Sequence, residues 1–88
     1  MTKIEFDTLR KIHNAVSISH GLVQMDRLHP HMQTIVSMWV ENGYLTRTYV
    51  DETYFNSFSE TFSVFELSVQ AKVDYAAERN RRGGVITT

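Results

Sequence analysis

The stretch from His29 to Leu45, HPHMQTIVSMWVENGYL, constrains this chain most, because it holds one long periodic helix with a readable start and a readable stop. Met32, Ile35, Val36, Trp39 and Val40 recur at i, i+3, i+4, i+7 and i+8. That spacing lays apolar side chains along one stripe of a helix. Pro30 stands in the first turn, where its missing N–H has no helical partner to lose. Gly43 follows the last periodic residue, at the place where a left-handed backbone suits glycine, and Tyr44 and Leu45 resume apolar character at once. Trp39, in the middle of the stripe, is expected in the core. The rest of the chain is placed relative to this helix.

A length of 88 residues leaves room for one domain with a single small core. Apolar residues at 42% and charged residues at 22% describe neither a disordered tail nor a membrane protein. No apolar run approaches the roughly 20 residues that cross a bilayer. The opening MTKIEFDTLRKI lacks the apolar core and small-residue cleavage site of an export signal. With no cysteine there is no disulfide and no thiolate metal site, so a cytoplasmic location is expected. Nine basic against ten acidic residues give a net charge of −1. Any nucleic-acid binding must therefore come from a local patch.

Upstream, Phe6, Leu9, Ile12 and Val16 are spaced for an amphipathic helix over residues 5–17. Ser19, His20 and Gly21 mark a turn. Leu22, Met25 and Leu28 repeat every three residues and predict a short second helix over residues 22–29, ended by Pro30. Downstream, residues 45–50 (LTRTYV) and 62–67 (FSVFEL) read as an antiparallel pair of strands around the segment 51–61. Ser68 is a good N-cap for a last helix running to about Asn80, with Val69, Val73, Ala76 and Ala77 as its apolar positions. Residues 83–88 follow as a flexible tail. The expected class is α+β, one domain over residues 1–82.

The order helix, helix, helix, strand, long turn, strand, helix resembles a winged helix (winged helix-turn-helix). Two segments carry the likeness. Ile35 to Arg47, IVSMWVENGYLTR, is similar to the segment that ends the recognition helix and enters the first wing strand in many bacterial winged-helix regulators. Phe65 to Lys72, FELSVQAK, resembles the strand-to-helix join after the wing in the multiple-antibiotic-resistance type of regulator. The two motifs and the elements between them cover roughly residues 22–79. The resemblance implies a small domain of three helices, a two-stranded antiparallel wing and a C-terminal helix, and a DNA-binding transcriptional regulator.

On that resemblance the helix from Pro30 to Asn42 matches the recognition helix, whose outer face enters the major groove. The implied DNA-binding residues are His31, Gln33, Thr34 and Ser37, with Arg27 and Arg47 on phosphates. Gln on an adenine edge and Ser or Thr on bases or phosphates are familiar readout chemistry. The departure from the pattern is the lack of any Arg or Lys between Arg27 and Arg47, together with Asp51, Glu52 and Glu60 in the wing. Cations supply much of the affinity for duplex DNA.

Other chemistries find little footing. His13, His20, His29 and His31 show neither the i, i+4 spacing nor the companion ligands of a zinc site, and are expected as turn and cap residues. No nucleophile elbow or phosphate-binding loop occurs, so no catalytic residue, cofactor or metal is expected. Tyr54, Phe55 and Phe58 crowd into the segment between the strands, a density of aromatics that marks a contact surface. The two surviving functions are a homodimeric DNA-binding regulator and a protein-interaction or inhibitor module, for example an accessory protein of a phage or mobile element. The second would use the aromatic and acidic wing on a partner protein.

Overall fold

The computed structural model describes residues 1–49 and 62–82. Tyr54, Phe55 and Phe58, expected as a contact surface, and residues 83–88, expected as a flexible tail, lie outside the described residues, as do the acids Asp51, Glu52 and Glu60. Among the described residues, three α-helices and a three-stranded antiparallel sheet follow in the order α1 (Lys3–Ser19), β1 (Leu22–Gln24), a single 3-10 turn (Met25–Arg27), α2 (Pro30–Glu41), β2 (Leu45–Tyr49), β3 (Phe62–Leu67) and α3 (Val69–Arg81).

Helix α1 starts two residues earlier than its apolar spacing suggests, because Thr2 and Glu5 form a capping box. The Glu5 N–H donates to Thr2 Oγ1 at 3.2 Å and the Thr2 N–H donates to Glu5 Oε1 at 2.7 Å. These bonds satisfy donors that a helix end otherwise leaves open. The buried face is Phe6, Leu9 and Ile12, with Thr8 folded back onto the Ile4 carbonyl at 2.6 Å. The helix ends where His20 turns left-handed at φ 58° and Gly21 follows at φ 89°. Gly21 has a second reason to be glycine. Its carbonyl accepts from the Phe65 N–H at 2.8 Å, and a Cβ there would overlap the Phe65 carbonyl oxygen.

That left-handed exit corrects the expected helix over residues 22–29. The chain leaves α1 alongside β3, and Leu22, Val23 and Gln24 pair with Val64, Ser63 and Phe62. The backbone groups that a helix would have satisfied internally are satisfied by the strand. Only one 3-10 turn remains, with Met25 buried inside it. A repeat of three, as in Leu22, Met25 and Leu28, is the period of a 3-10 helix as much as of a short α-helix. The expected pair of strands is accordingly the larger part of a three-stranded sheet, ordered β1-β3-β2.

Strand β2 pairs with β3 from Leu45↔Leu67 to Tyr49↔Ser63. Alternation sends Leu45, Ser63 and Phe65 into the core and leaves Thr46, Thr48 and Glu66 exposed on the other face. Helix α1 touches α2, α3, β1 and β3, so its apolar face is the floor on which the other elements sit. Val36 and Trp39 of α2, Leu45, Phe65, and Ala71 and Tyr75 of α3 complete the core, with Trp39 8% exposed.

Helix α3 is rotated from its expected phase. Val69 and Val73, read as its core positions, are 78% and 55% exposed, and Ala76 and Ala77 are exposed as well. The opposite face is the buried one, through Ala71 and Tyr75. Tyr75 stacks on His13 with ring centroids 4.1 Å apart and on Phe6 at 5.7 Å. The Tyr75 ring finds ring partners on α1, a packing that the two valines cannot make. Ser68 Oγ caps the start of the helix, accepting from the Ala71 N–H at 3.1 Å. The far end holds the rotation, where Arg82 donates to the Met1 carbonyl at 2.6 Å while its guanidinium lies 5.1 Å from the Phe6 ring.

Candidate functional site

Helix α2 is positioned from both ends. At its start His29 is the N-cap: its Nδ1 accepts from the His31 N–H at 3.2 Å, and Pro30 opens the first turn. At its end Gly43 takes φ 80°, and the Tyr44 N–H reaches back to the Trp39 carbonyl at 2.8 Å. The Tyr44 ring lies against Trp39, centroids 5.2 Å apart, and its hydroxyl donates to Asp74 Oδ2 at 2.7 Å. Burial, and then the neighbouring Asp74 carboxylate, push the Tyr44 phenol above its ordinary range. The far end of α2 is thereby tied to α3.

With Val36 and Trp39 turned inward, the outward face of α2 presents His31, Thr34, Ser37, Met38 and Glu41, all exposed. The first turn holds no acidic residue, and Glu41 in the last turn is the only charge on the helix. Of the six residues implied for DNA contact, Arg27, His31, Thr34 and Ser37 stand exposed along α2 and the turn before it. Thr34 Oγ1 donates to the Pro30 carbonyl at 3.2 Å. The other two have internal partners. Gln33 donates through Nε2 to the Leu28 carbonyl at 2.9 Å, closing the turn that leads into α2. Arg47 is half-buried, with its Nε donating to the buried Ser63 hydroxyl at 2.8 Å and its guanidinium 5.9 Å from the Phe65 ring.

Most cations are likewise occupied. Lys3 and Arg10 pair with Asp7, and Arg81 and Arg82 pair with Glu78. Hydrogen bonding from Arg81, with a smaller part from Arg82, holds the Glu78 carboxyl down at about 2. Among the described residues, Lys11, Arg27, Lys72 and Arg79 have no ion-pair partner. Arg27 alone of these four lies in the turn beside the start of α2, and Asp26 precedes it.

Two of the four histidines are the cap residues expected of them, His20 closing α1 and His29 opening α2. His13 is instead part of the aromatic stack between α1 and α3, and its Nδ1 is buried with no hydrogen-bond partner among the described residues. His31 is exposed on α2, its ring 5.0 Å from that of His29. Among the described residues no three His, Asp or Glu side chains gather so as to hold a metal ion. An open cleft of about 630 Å³ runs between the starts of α1 and α2, with Ile4 and Met32 among its lining residues beside Lys3, Asp7, His29 and His31. No helix among the described residues is long and apolar enough to cross a membrane.

No protein-family model matches the chain, and no curated protein or solved structure matches it.

Proposed function

We propose that this chain is a small winged-helix DNA-binding regulator that lays α2 in the major groove and acts as a homodimer. The observation that carries the reading is the outward face of α2. It is polar and uncharged from His31 to Ser37, its first turn is free of acid, Arg27 stands exposed at its head, and a β-hairpin follows it directly. Strand β1 adds support, since it fastens the connection between α1 and α2 to the same sheet, so that helix and hairpin are held as one unit. His31, Thr34 and Ser37 are side-chain types that contact bases and phosphates. The scarcity of unpaired cations argues for two copies on one duplex, because each phosphate neutralised adds to affinity.

The test is a salt-resolved anisotropy titration against random-sequence duplex DNA, followed by selection from a randomised pool. Binding at low salt with a shallow slope is expected, about −0.9 in log K per log salt for each phosphate neutralised. Arg27→Ala is expected to reduce that slope by about one unit. Arg47→Ala, whose guanidinium is bound to Ser63, is expected to lower stability as well as affinity. Absence of binding at low salt together with no enriched sequence ends the reading in favour of a protein-interaction module.

A further inference from the structure

The outward face of α3 holds two β-branched residues that lie outside the core. Val69 and Val73 stand four apart at 78% and 55% exposure, and Ala76 continues the line three residues later. Valine is a poorer helix former than alanine or leucine because its χ1 is restricted against the preceding turn. Neither burial nor propensity accounts for it at these positions. The series Val69, Val73, Ala76 and Asn80 has the alternating four-and-three spacing with which one helix seats against another. The rotation of the helix is held by the Tyr75 stack on α1 and the Arg82 contact with Met1, so this strip faces outward.

Charge says what kind of surface covers it. Along one edge of the strip Lys72 and Arg79, seven residues apart, are exposed and have no ion-pair partner among the described residues. The other edge begins with Gln70 and Ala77, neither of them charged. The nearby acids are used within the molecule, Asp74 by Tyr44 and Gln70 and Glu78 by Arg81 and Arg82. The α3 of a second copy does not supply the missing anions. Antiparallel two-fold pairing of α3 sets the Lys72 and Arg79 edge against the same edge of its mate, and parallel pairing sets it against Gln70 and Ala77.

We infer that the outward strip of α3 docks an amphipathic helix of a partner protein, whose apolar stripe covers Val69 and Val73 and whose acidic flank faces Lys72 and Arg79. This is recognition by a helix face, with the apolar strip supplying adhesion and the cationic edge the choice and orientation of the partner. It stands on a different helix from the proposed DNA contact, so either reading can fail without the other.

The experiment uses the isotopically labelled full chain and two synthetic helical peptides of 21 residues. Both carry Leu at the two apolar heptad positions, and they differ only in having Glu or Lys at both flanking positions. The Glu-flanked peptide is expected to shift the backbone amides of α3 saturably and less strongly in high salt, while the Lys-flanked peptide leaves them in place. The double variant Lys72→Glu, Arg79→Glu is expected to exchange the preference. Val73→Ser, with its helix content checked by circular dichroism, is expected to weaken binding at least tenfold. Equal response to both peptides, response to neither, or shifts centred away from α3 overturns the inference. So does sedimentation showing a dimer that Val73→Asp dissociates, because the strip is then covered by a second copy.

Discussion

Helices α2 and α3 are nearly equal in length, and each commits one large ring to the same core, Trp39 in one and Tyr75 in the other. They differ in what surrounds the ring. In α2 the residues flanking Trp39 on its face are themselves apolar, so every large side chain of the stripe agrees on one orientation. In α3 the ring and the valines point in opposite directions, and the valines lose. A helix is oriented by the area its neighbours can cover, and α1 with its Phe6 and His13 rings offers Tyr75 that cover. Apolar spacing thus sets a helix's orientation when it forms the only stripe, and merely proposes one when two stripes compete.

Truncating the ring of α2 is the severest way to probe this contrast. Trp39→Ala is expected to cost about 3–5 kcal/mol, the usual range for a large aromatic removed from a packed core. In so small a domain that approaches the whole stability. A melting midpoint within a degree or two of wild type would mean that Trp39 is not core. Next comes Tyr75→Ala, expected to cost about 3 kcal/mol. If it proved milder than a substitution at Val73, the orientation of α3 would be the reverse, with the valines inside.

The link between the two helices is weaker and has a pH signature. Tyr44→Phe removes the hydroxyl that reaches Asp74 and is expected to cost about 1 kcal/mol. Because the folded state raises the Tyr44 phenol, folding favours its protonated form. Its contribution is therefore complete below the unfolded value of about 10 and is lost as pH rises toward the folded one. The phenylalanine variant should show a shallower alkaline fall in stability than wild type. Parallel alkaline denaturation curves would disconnect Tyr44 from that loss.

The smallest effect is expected on the outward strip. Val73→Ser should change stability by less than about 0.5 kcal/mol, as befits an exposed position away from caps and networks. A loss of more than about 1 kcal/mol in a chemical denaturation series would show that Val73 is covered within the folded molecule, and would leave no strip to dock a partner.

Much of the fold was legible in residues whose local demand was unopposed. Pro30, the stripe through Trp39 and Gly43 bounded α2, the β-branched and aromatic runs marked β2 and β3, and Ser68 marked the start of α3. Thr2 and Glu5 held a capping signal three residues apart that would have extended α1 to its true start. In the candidate site, the exposure of His31, Thr34 and Ser37 follows from the helix period. The internal engagement of Gln33 and Arg47 does not. Each bonds to a group that no helical or strand period identifies, the Leu28 carbonyl and the Ser63 hydroxyl.

By itself, then, the sequence determined what depends on neighbours along the chain: the caps, the left-handed glycine positions, the strand-forming runs and the single stripe of α2. Tertiary structure alone decided what depends on distant groups competing for the same surface or hydrogen bond. The segment Leu22–Gln24 became a strand because β3 offered open backbone partners at the point where α1 ends. Helix α3 turned its valines outward because the aromatic stack with α1 offered Tyr75 more burial than any surface offered Val69 and Val73. Local preference amounts to fractions of a kcal/mol per residue, whereas burying a large side chain amounts to about 1.5–3 kcal/mol, and ring stacking adds to that for Tyr75, so tertiary contact set the outcome.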